Sequence, residues 1–252
     1  EAVVDRAAAL SLRWSRDDDG LRDLVVTRKV IEAEDITSFY LTAADDKALA
    51  RFDAGQHLPI ELDIPGQRGP VKRSYSLSGA PSAETYRLSV KREEQGIASR
   101  FLHDQVHVGS RIAARAPSGD FGIPDHDSPL VLVSAGVGLT PMLSMLHAAA
   151  EENANRPIWY VHGTRNGAKH ALASEINALV ASRRNFTKHI RYSQPSNTDT
   201  AGVDYDRAGR INAQMLLDLS AGPNAQYLLC GPPQWIADLR SGLETGGVPH
   251  NA

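Results

Sequence analysis

The chain has 252 residues, enough for one large domain or two of medium size, and its 42% hydrophobic and 23% charged residues are typical of a soluble globular protein. Its 27 Lys and Arg residues against 30 Asp and Glu residues give a net charge of −3, which argues against nucleic acid as the main partner. The single cysteine, Cys230, excludes an internal disulfide, an ordinary iron–sulfur cluster and a multi-cysteine zinc site within these residues.

Hydropathy and the N-terminal pattern bear on location. No apolar run approaches the roughly 20 residues that a membrane helix needs. The first residues also lack a secretory signal pattern. We therefore expect a cytoplasmic protein that does not bind a membrane. No metal site is expected either.

Residues 1–20 and residues 21–124 have different patterns. The first twenty run from an Ala-rich stretch to the acidic Asp17–Gly20, which predicts a short helix or a linker. Short strands separated by Gly and Pro turns predict an antiparallel sandwich or barrel in the next hundred residues, with one helix over Ile97–Gln105. The six expected strands are Leu24–Thr27, Ile36–Leu41, His57–Ile64, Arg73–Leu77, Tyr86–Val90 and Arg111–Ala116.

After Pro124 apolar strands alternate with helices, and this alternation predicts a doubly wound parallel sheet. The expected strands are Leu130–Val133, Ile158–Val161, Phe186–Tyr192 and Tyr227–Cys230. The expected helices are one that includes Met142 to Ala149, then Ala168–Arg183, Asn212–Leu219 and Pro232–Gly246. The polar Ser193–Gly209 is predicted to be a loop. The expected domains are therefore residues 21–124 and residues 125–252.

The strongest motif of the second half is the glycine turn Ser134–Pro141, which lies where the first parallel strand becomes a helix. Gly136 and Gly138 allow a tight turn and the close approach of a ligand. Thr140 is expected to cap the helix, and Pro141 suits its first turn. The free N–H groups and the helix dipole make a seat for a pyrophosphate. A plain strand–helix turn is the alternative interpretation.

A second motif, Cys230–Pro233, follows a later strand of the same sheet. Ligands of open α/β sheets bind at the carboxyl edge of the strands, which is where this motif is expected to lie. Gly231 and Pro232 indicate a close and rigid backbone corner. The alternative is that Cys230 is a small buried hydrophobic residue.

Two motifs in the first half suggest a flat, phosphorylated ligand. In the strand Arg73–Ser78, an Arg can pair with phosphate, the ring of Tyr75 can stack, and the Ser76 hydroxyl can bond to a ring edge. A surface pair of Arg and Tyr is the alternative. Gly96–Ser99 opens the helix of this half and offers a second helix N-terminus to a phosphate.

These motifs occur together and in order, and over about Leu21–Pro249 the chain resembles the ferredoxin–NADP reductase superfamily. The nearest types are the reductase modules of flavohaemoglobins and of multidomain oxygenase reductases. The resemblance implies a six-stranded antiparallel flavin-binding barrel followed by a doubly wound NAD(P)-binding domain. The matching segments are Arg73–Ser78, Val90–Arg92, Gly96–Ser99, Pro117–Phe121, Gly136–Pro141 and Cys230–Pro232.

The resemblance also implies roles for individual residues. Arg73 is expected to contact a flavin phosphate, Tyr75 to stack beside the isoalloxazine, and Ser76 to sit near the flavin N5. Cys230 is expected near the nicotinamide, so Ser76, Tyr75 and Cys230 are the predicted catalytic residues. The other expected flavin-binding residues are His57, Val90, Lys91, Gly96, Ile97, Ala98 and Ser99. The expected nucleotide-binding residues are Gly136, Gly138, Thr140, Pro141, Arg165, Cys230, Gly231 and Pro232.

The implied activity is hydride transfer from NADH or NADPH to FAD, followed by transfer of single electrons to an iron–sulfur, haem or oxygenase acceptor. The Val90–Arg92 strand followed by Gly96–Ser99 and Phe101–Asp104 looks more like the FAD-binding flavohaemoglobin type, so FAD is expected rather than FMN. NADH is preferred, although Arg165 could meet the 2′-phosphate of NADPH. The His57–Ile60 run is typical of fused reductases, so we expect a fragment of a larger multidomain reductase. The alternatives are a non-catalytic flavin- or nucleotide-binding regulatory module and a free-flavin reductase.

Overall fold

The computed structural model describes residues 20–124, 127–152, 155–219, 221–222 and 224–250, and the chain divides into two compact units between Ile123 and Pro124. Apart from Gly20, the helix or linker predicted for residues 1–20 lies outside the described residues. Within the described ranges, none of the helices combines the length and the apolar character that crossing a lipid bilayer requires.

Unit one is an antiparallel sheet whose six strands are hydrogen-bonded in the order β4-β3-β6-β1-β2-β5. Its strands are β1 (Arg22–Ala33), β2 (Ile36–Ala43), β3 (His57–Leu62), β4 (Val71–Ser76), β5 (Tyr86–Lys91) and β6 (Arg111–Ala114). The helix α1 spans Ile97–Gln105, as predicted. Alternate residues of β3 are buried, with Leu58 and Ile60 at 0% and 1% exposure, because successive side chains of a strand point to opposite faces.

The two edge strands of unit one meet at a short seam. Leu77 and Leu88 form an isolated antiparallel bridge, and the Ser78 N–H donates to the Arg87 carbonyl at 3.0 Å. Both leucines are buried in the core of the unit. The predicted antiparallel barrel is therefore confirmed as a barrel-like sheet, in which one bridge rather than a continuous ladder joins the edges.

Unit two is a parallel sheet with the strand order β10-β9-β8-β7-β11, which confirms the predicted doubly wound domain. Its strands are β7 (Leu130–Ala135), β8 (Ile158–Thr164), β9 (Phe186–Tyr192), β10 (Arg207–Ala208) and β11 (Gln226–Cys230). Its helices are α2 (Leu139–Glu151), α3 (Ala173–Ala181), α4 (Ala213–Asp218) and α5 (Pro233–Thr245). The strand order reverses between β7 and β11, which makes this the topological switch point.

The central strand β7 is buried on both faces. All side chains of Leu130–Val133 have 0% exposure. Val131 and Val133 pack in one cluster with Leu239 and Leu243 of α5. Since neighbouring side chains of a strand point to opposite faces, Leu130 and Leu132 of β7 face the other side of the sheet. This is why the strand is a continuous apolar run in the sequence.

Two predicted elements of unit two differ from the structure. The helix predicted from Ala168 begins only at Ala173, after a 3₁₀ turn over Gly167–Lys169 and a left-handed Leu172 with φ +58°. The segment predicted as a loop contains β10, which pairs with β9. Both residues of β10 are exposed, so this edge strand lacks the apolar pattern that would have predicted it.

Candidate functional site

The glycine turn and the Cys230 corner meet at the switch point of unit two. β7 and β11 pair in register through Ser134 and Cys230. A Cβ added to Gly138 would collide with the Cys230 carbonyl group, lying 2.7 Å from its carbon, so this position requires glycine. The two motifs are far apart in the sequence, and the structure brings them together at the edge where open α/β sheets bind ligands.

Gly136 and Gly138 shape the turn in different ways. Gly136 has a left-handed φ of +54°, and a Cβ there would meet nothing within 4 Å. Gly136–Gly138 form a 3₁₀ turn, and Gly138 is the N-cap of α2. The backbone at Gly136 therefore faces open space beside a helix N-terminus, which is suited to an anionic ligand.

Thr140 does not cap α2, so that prediction is wrong. The helix begins at Leu139 with Gly138 as its N-cap, two residues earlier than a Thr140 cap would place it, and the Thr140 hydroxyl donates to the Val137 carbonyl at 3.1 Å. The N-cap residue Gly138 has no side chain to cap the helix, and the Leu139 N–H is already paired with the carbonyls of Gly136 and Val137. Pro141 lies in the first turn, where its missing N–H costs no helical hydrogen bond.

The Cys230 corner is fixed by packing. A Cβ added to Gly231 would lie 2.7 Å from two carbons of the Trp235 ring, and the indole N–H of Trp235 donates to the Ile211 carbonyl at 3.2 Å. Burial raises the pKa of the Cys230 thiol, so this half-buried group is a neutral donor at pH 7. Pro232 is exposed as the N-cap of α5.

Arg165 lies at the same carboxyl edge, directly after β8. Its side chain is exposed, and its carbonyl accepts from the Gln194 N–H at 2.9 Å. The Ser193 N–H likewise donates to the Thr164 carbonyl at 2.9 Å. The loop after β8 is therefore joined to the loop after β9.

In unit one, β4 carries the predicted cation, ring and hydroxyl. Arg73 is exposed, and its guanidinium donates to the Lys72 carbonyl at 2.7 Å. Tyr75 packs against the core, and burial raises the pKa of its hydroxyl. Ser76 lies opposite His57 in the β3–β4 ladder, so the structure brings these two predicted residues together.

The Pro117–Phe121 motif packs on His57. The backbones of His57 and Ser118 exchange two hydrogen bonds of 3.0 Å, and His57 Nε2 lies 3.3 Å from Ser118 Oγ. Gly119 has a φ of +116°, and a Cβ there would lie 2.9 Å from His57 Nδ1. Glycine therefore lets this loop approach the ring closely, which links two motifs that the sequence showed only separately.

The Gly96–Ser99 segment is a helix start, as predicted. Gly96 is the N-cap of α1, and a Cβ there would collide with the Ser99 hydroxyl and lie 3.0 Å from the Cβ of Glu93. Ser99 Oγ accepts from the Glu93 N–H at 3.1 Å and donates to the Gly96 carbonyl at 3.3 Å. Ala98 is buried and Ile97 is exposed. The first N–H groups of the helix therefore remain for a ligand.

Val90 and Lys91 end β5 just before this helix. The Val90 side chain is 1% exposed within the core, and its carbonyl accepts a hydrogen bond of 2.8 Å from His103 Nε2. Lys91 pairs with Glu93 at 2.8 Å. Only the backbone of Val90 can therefore face a ligand, whereas the Lys91 ammonium is reachable.

The other end of α1 is anchored by Lys29, which the sequence did not single out. Lys29 Nζ donates to the carbonyls of His103 and Val106, both at 2.7 Å, and lies 5.3 Å from the centroid of the Phe39 ring. Burial lowers the pKa of this ammonium, and the Asp104 carboxylate opposes that shift. A cation at a helix C-terminus stabilises the helix dipole and the unpaired carbonyls.

Lys29→Met is expected to lower the free energy of unfolding by about 2 kcal/mol, because the last turn of α1 loses a charged donor. The same variant should weaken binding at the Gly96–Ser99 end. Urea unfolding measures the first effect and flavin titration the second. Lys47→Met, which replaces an exposed lysine, is the matched control. Equal stability of the two variants would refute the anchoring role.

A cationic cleft of about 300 Å³ lies beside Arg73 and was also missed. Lys72 and Arg115 both reach the Glu61 carboxylate, at 3.2 and 3.3 Å. Burial alone would raise the pKa of Glu61, but the hydrogen bonds from these two cations lower it. Three cations around one carboxylate leave the cleft positive. Reading the registered pairs of β3 and β4 together would have found it.

Both units match models of known oxidoreductase domains. Residues 23–123 match an oxidoreductase FAD-binding domain, and residues 132–241 match an oxidoreductase NAD-binding domain. A flavohemoprotein of Burkholderia sp. (strain TH2) is 40% identical over 231 residues, covering 91% of this chain and 57% of that protein. The chain thus spans a little over half the length of such curated relatives.

Solved structures agree with this match. The flavohem-like FAD/NAD-binding domain of nitric oxide dioxygenase from Vibrio cholerae is 32% identical with a TM-score of 0.81, and the match covers 90% of this chain and 94% of that one. Phthalate dioxygenase reductase is 25% identical with a TM-score of 0.73, covering 92% and 66%. The chain therefore belongs to the ferredoxin–NADP reductase family, as an FAD-binding and NAD-binding oxidoreductase module of the flavohaemoglobin type.

Proposed function

We propose that the chain is an FAD-dependent NAD(P)H reductase that takes a hydride from NADH or NADPH and passes single electrons to an acceptor. The observation that carries this proposal is the switch point of unit two. There the required Gly138 packs on Cys230 while Gly136 leaves the backbone open beside a helix N-terminus. The cationic β4 edge of unit one supports a separate flavin seat.

The residues of unit one fit a flavin. Arg73 and the positive cleft around it suit a phosphate, and the N–H groups of Ile97–Ser99 suit a second one. Two phosphate seats favour FAD, which carries a pyrophosphate, over FMN. The exposed part of Tyr75 suits stacking, and His57 with Ser76 offers hydrogen bonds beside it.

The residues of unit two fit a nicotinamide dinucleotide. The turn Gly136–Pro141 suits the pyrophosphate, because Gly136 gives room and the dipole at the start of α2 favours negative charge. Cys230, Gly231 and Pro232 form the facing corner. Arg165 lies where the second parallel strand ends, a position that meets the adenosine ribose in doubly wound domains. NADH and NADPH both remain candidates.

The chemistry of hydride acceptance and stepwise electron release is supplied by FAD when it is bound. The protein binds the flavin, orients it and shields it. Ser76 provides a hydroxyl donor at the strand end, and the neutral thiol of Cys230 provides a weak donor that carries no charge. We place this activity in the cytoplasm, where the single free thiol stays reduced.

The acceptor is proposed to be a haem, iron–sulfur or oxygenase centre, fused in a longer chain or separate. The relative named a flavohemoprotein supports a haem acceptor. Phthalate dioxygenase reductase, described as transferring electrons from pyridine nucleotides to a 2Fe-2S centre, supports an iron–sulfur one. A reductase that releases free flavin is the second candidate, and loss of flavin during gel filtration would favour it.

Arg73→Ala is expected to lower flavin occupancy, because the phosphate loses a charge partner, with affinity falling roughly tenfold. The flavin content of the purified protein and a titration of the flavin-free protein with FAD measure this. Arg68→Ala, which removes an exposed arginine from the loop before β4, is the matched control. Unchanged affinity in Arg73→Ala, or an equal loss in Arg68→Ala, would contradict the assignment.

A further inference from the structure

A row of buried polar side chains crosses three strands of unit two just below the carboxyl edge. Ser134 of β7 and His162 of β8 are registered partners with 0% exposure, and Ser134 Oγ lies 2.9 Å from His162 Nδ1. The ring of His170 stacks on that of His162 at 5.3 Å. His170 Nδ1 lies 2.9 Å from the hydroxyl of Tyr192, the last residue of β9. None of the expected nucleotide-binding residues belongs to this row.

Both imidazoles of the row are neutral at pH 7. Burial, reinforced by the neighbouring ring, lowers the pKa of His162 well below its usual range. Burial also lowers the pKa of His170, to about 4. Nε2 of each ring is buried without a hydrogen-bond partner, and an unpaired acceptor is less costly there than an unpaired N–H. His162 therefore carries its proton on Nδ1 and donates to Ser134, whose own hydroxyl donates to the Val161 carbonyl at 3.4 Å. The hydrogen bond between His170 Nδ1 and the Tyr192 hydroxyl continues the row.

The row holds a loop in place. His170 ends the turn that follows Arg165, so its stacking on His162 folds this turn back onto the sheet. Asp199 adds a second tie, since its carboxylate accepts from the Gly167 N–H at 3.2 Å and from the Ser196 N–H at 2.6 Å. A Cβ on Gly167 would lie 2.5 Å from Asp199 Oδ1, so the contact is close. The loops after β8 and β9 are thus bound to each other and to the row.

The position of the row relates it to ligand binding. Ser134 precedes Gly136 by two residues, so the row begins directly beneath the glycine turn. It ends at Tyr192, which pairs with Thr164 next to Arg165. The loop that carries Arg165 forms one wall of the edge where the nucleotide seat is proposed. A shift in the position of this loop would change the affinity for the nucleotide without changing the reacting groups.

We propose that His170 and Tyr192 are positioning residues for the nicotinamide dinucleotide, fixing the loop Arg165–Lys169 through the hydrogen bond between His170 Nδ1 and the Tyr192 hydroxyl. This inference rests on the proposed function, because it assumes that a dinucleotide binds at this edge. It adds two residues that lie outside the set proposed to bind the nucleotide. Removing the bond loosens the wall and lowers affinity, while the hydride-transfer step at saturating nucleotide is unaffected.

Tyr192→Phe tests the proposal because it removes only the hydroxyl and keeps the ring, which stacks on Tyr205 at 4.9 Å. The matched control is Tyr86→Phe, which removes another buried tyrosine hydroxyl, bonded to the Ala50 carbonyl in unit one. For the FAD-loaded protein, calorimetric titration gives the Kd for NAD⁺, and steady-state assays with a one-electron dye give KM and kcat for NADH. We expect Kd and KM to rise roughly three- to tenfold in Tyr192→Phe with kcat nearly constant.

Further variants separate positioning from stability. His170→Asn keeps a hydrogen-bonding group near the Nδ1 position and should restore most of the affinity that His170→Leu loses. If Tyr192→Phe loses only stability, as Tyr86→Phe does, and keeps the wild-type Kd and KM, the positioning role is wrong. Binding of NAD⁺ is measured independently of hydride transfer, so the proposal is tested even if the flavin is not reduced. Wild-type protein that binds neither NAD⁺ nor NADP⁺ would overturn the nucleotide seat and this inference together.

Discussion

Replacing Gly138 with alanine is expected to slow nucleotide-driven reduction strongly while leaving flavin binding intact. The new Cβ would lie 2.7 Å from the Cys230 carbonyl carbon and 3.1 Å from the Gly231 nitrogen. Both are backbone atoms at the end of a strand that pairs in register with β7, so they cannot rotate aside as a side chain can. The turn and the strand end must separate, at a cost of roughly 2–3 kcal/mol.

Three measurements characterise the Gly138→Ala variant. In a Trp14→Phe background, fluorescence of Trp159 and Trp235, which both belong to unit two, reports the urea midpoint. FAD content reports unit one, and titration with NAD⁺ reports the nucleotide seat. We expect affinity for NAD⁺ to fall by about tenfold or more, in line with a cost above 1.4 kcal/mol. Gly69→Ala is the control, because its Cβ would meet nothing within 4 Å. Wild-type affinity in Gly138→Ala would show that the seat lies elsewhere.

The stability of unit two is expected to fall steeply between pH 7.5 and pH 5. His170 has its pKa lowered from 6.5 to about 4, first by burial and then by Lys188, with Asp204 opposing. The unfolded chain therefore binds a proton in this range that the folded chain excludes. The stabilisation is fully present above pH 6.5 and is lost as the pH falls towards 4, and His170 alone accounts for about 2 kcal/mol by pH 5. His162, whose pKa is lowered in the same direction, adds to this loss.

Urea unfolding followed by tryptophan fluorescence at the two pH values measures this effect. His170→Phe keeps a ring on His162 but cannot titrate, so its stability should depend less on pH by about 2 kcal/mol. His107→Gln, in which an exposed histidine of unit one is replaced, should keep the wild-type dependence. An unchanged slope in His170→Phe would mean that His170 is not neutral in the folded protein.

The sequence predicted the elements whose burial follows a clear period. β9 and α1 have the predicted bounds, and the continuous apolar run of β7 predicted a strand buried on both faces. β10 was missed because its two exposed residues carry no apolar signal, and it exists only through pairing with β9. The start of α3 was predicted too early, because the left-handed Leu172 is a backbone feature that no local residue preference indicates.

The features of the candidate site also fall into two groups, those set by a local motif and those set by contacts between distant segments. Local motifs such as Gly136–Pro141 carry their own turn chemistry, so their role as a strand–helix turn could be predicted. Contacts between distant segments could not, because they depend on register and topology. The approach of Gly119 to His57, the anchoring of α1 by Lys29 and the row through His162 are of this kind. Thr140 failed as a cap because α2 follows the 3₁₀ turn directly, so its N-cap is Gly138, two residues before Thr140.

Anaerobic addition of NADH to the FAD-loaded chain, with the flavin absorbance followed in a stopped-flow instrument, tests the central claim most directly. We predict that the purified protein holds one FAD per chain, that NADH or NADPH bleaches the flavin band, and that Gly138→Ala keeps its FAD but bleaches far more slowly. Protein that binds FAD fully and is bleached by neither nucleotide would contradict the proposed reductase activity and favour a non-catalytic binding module.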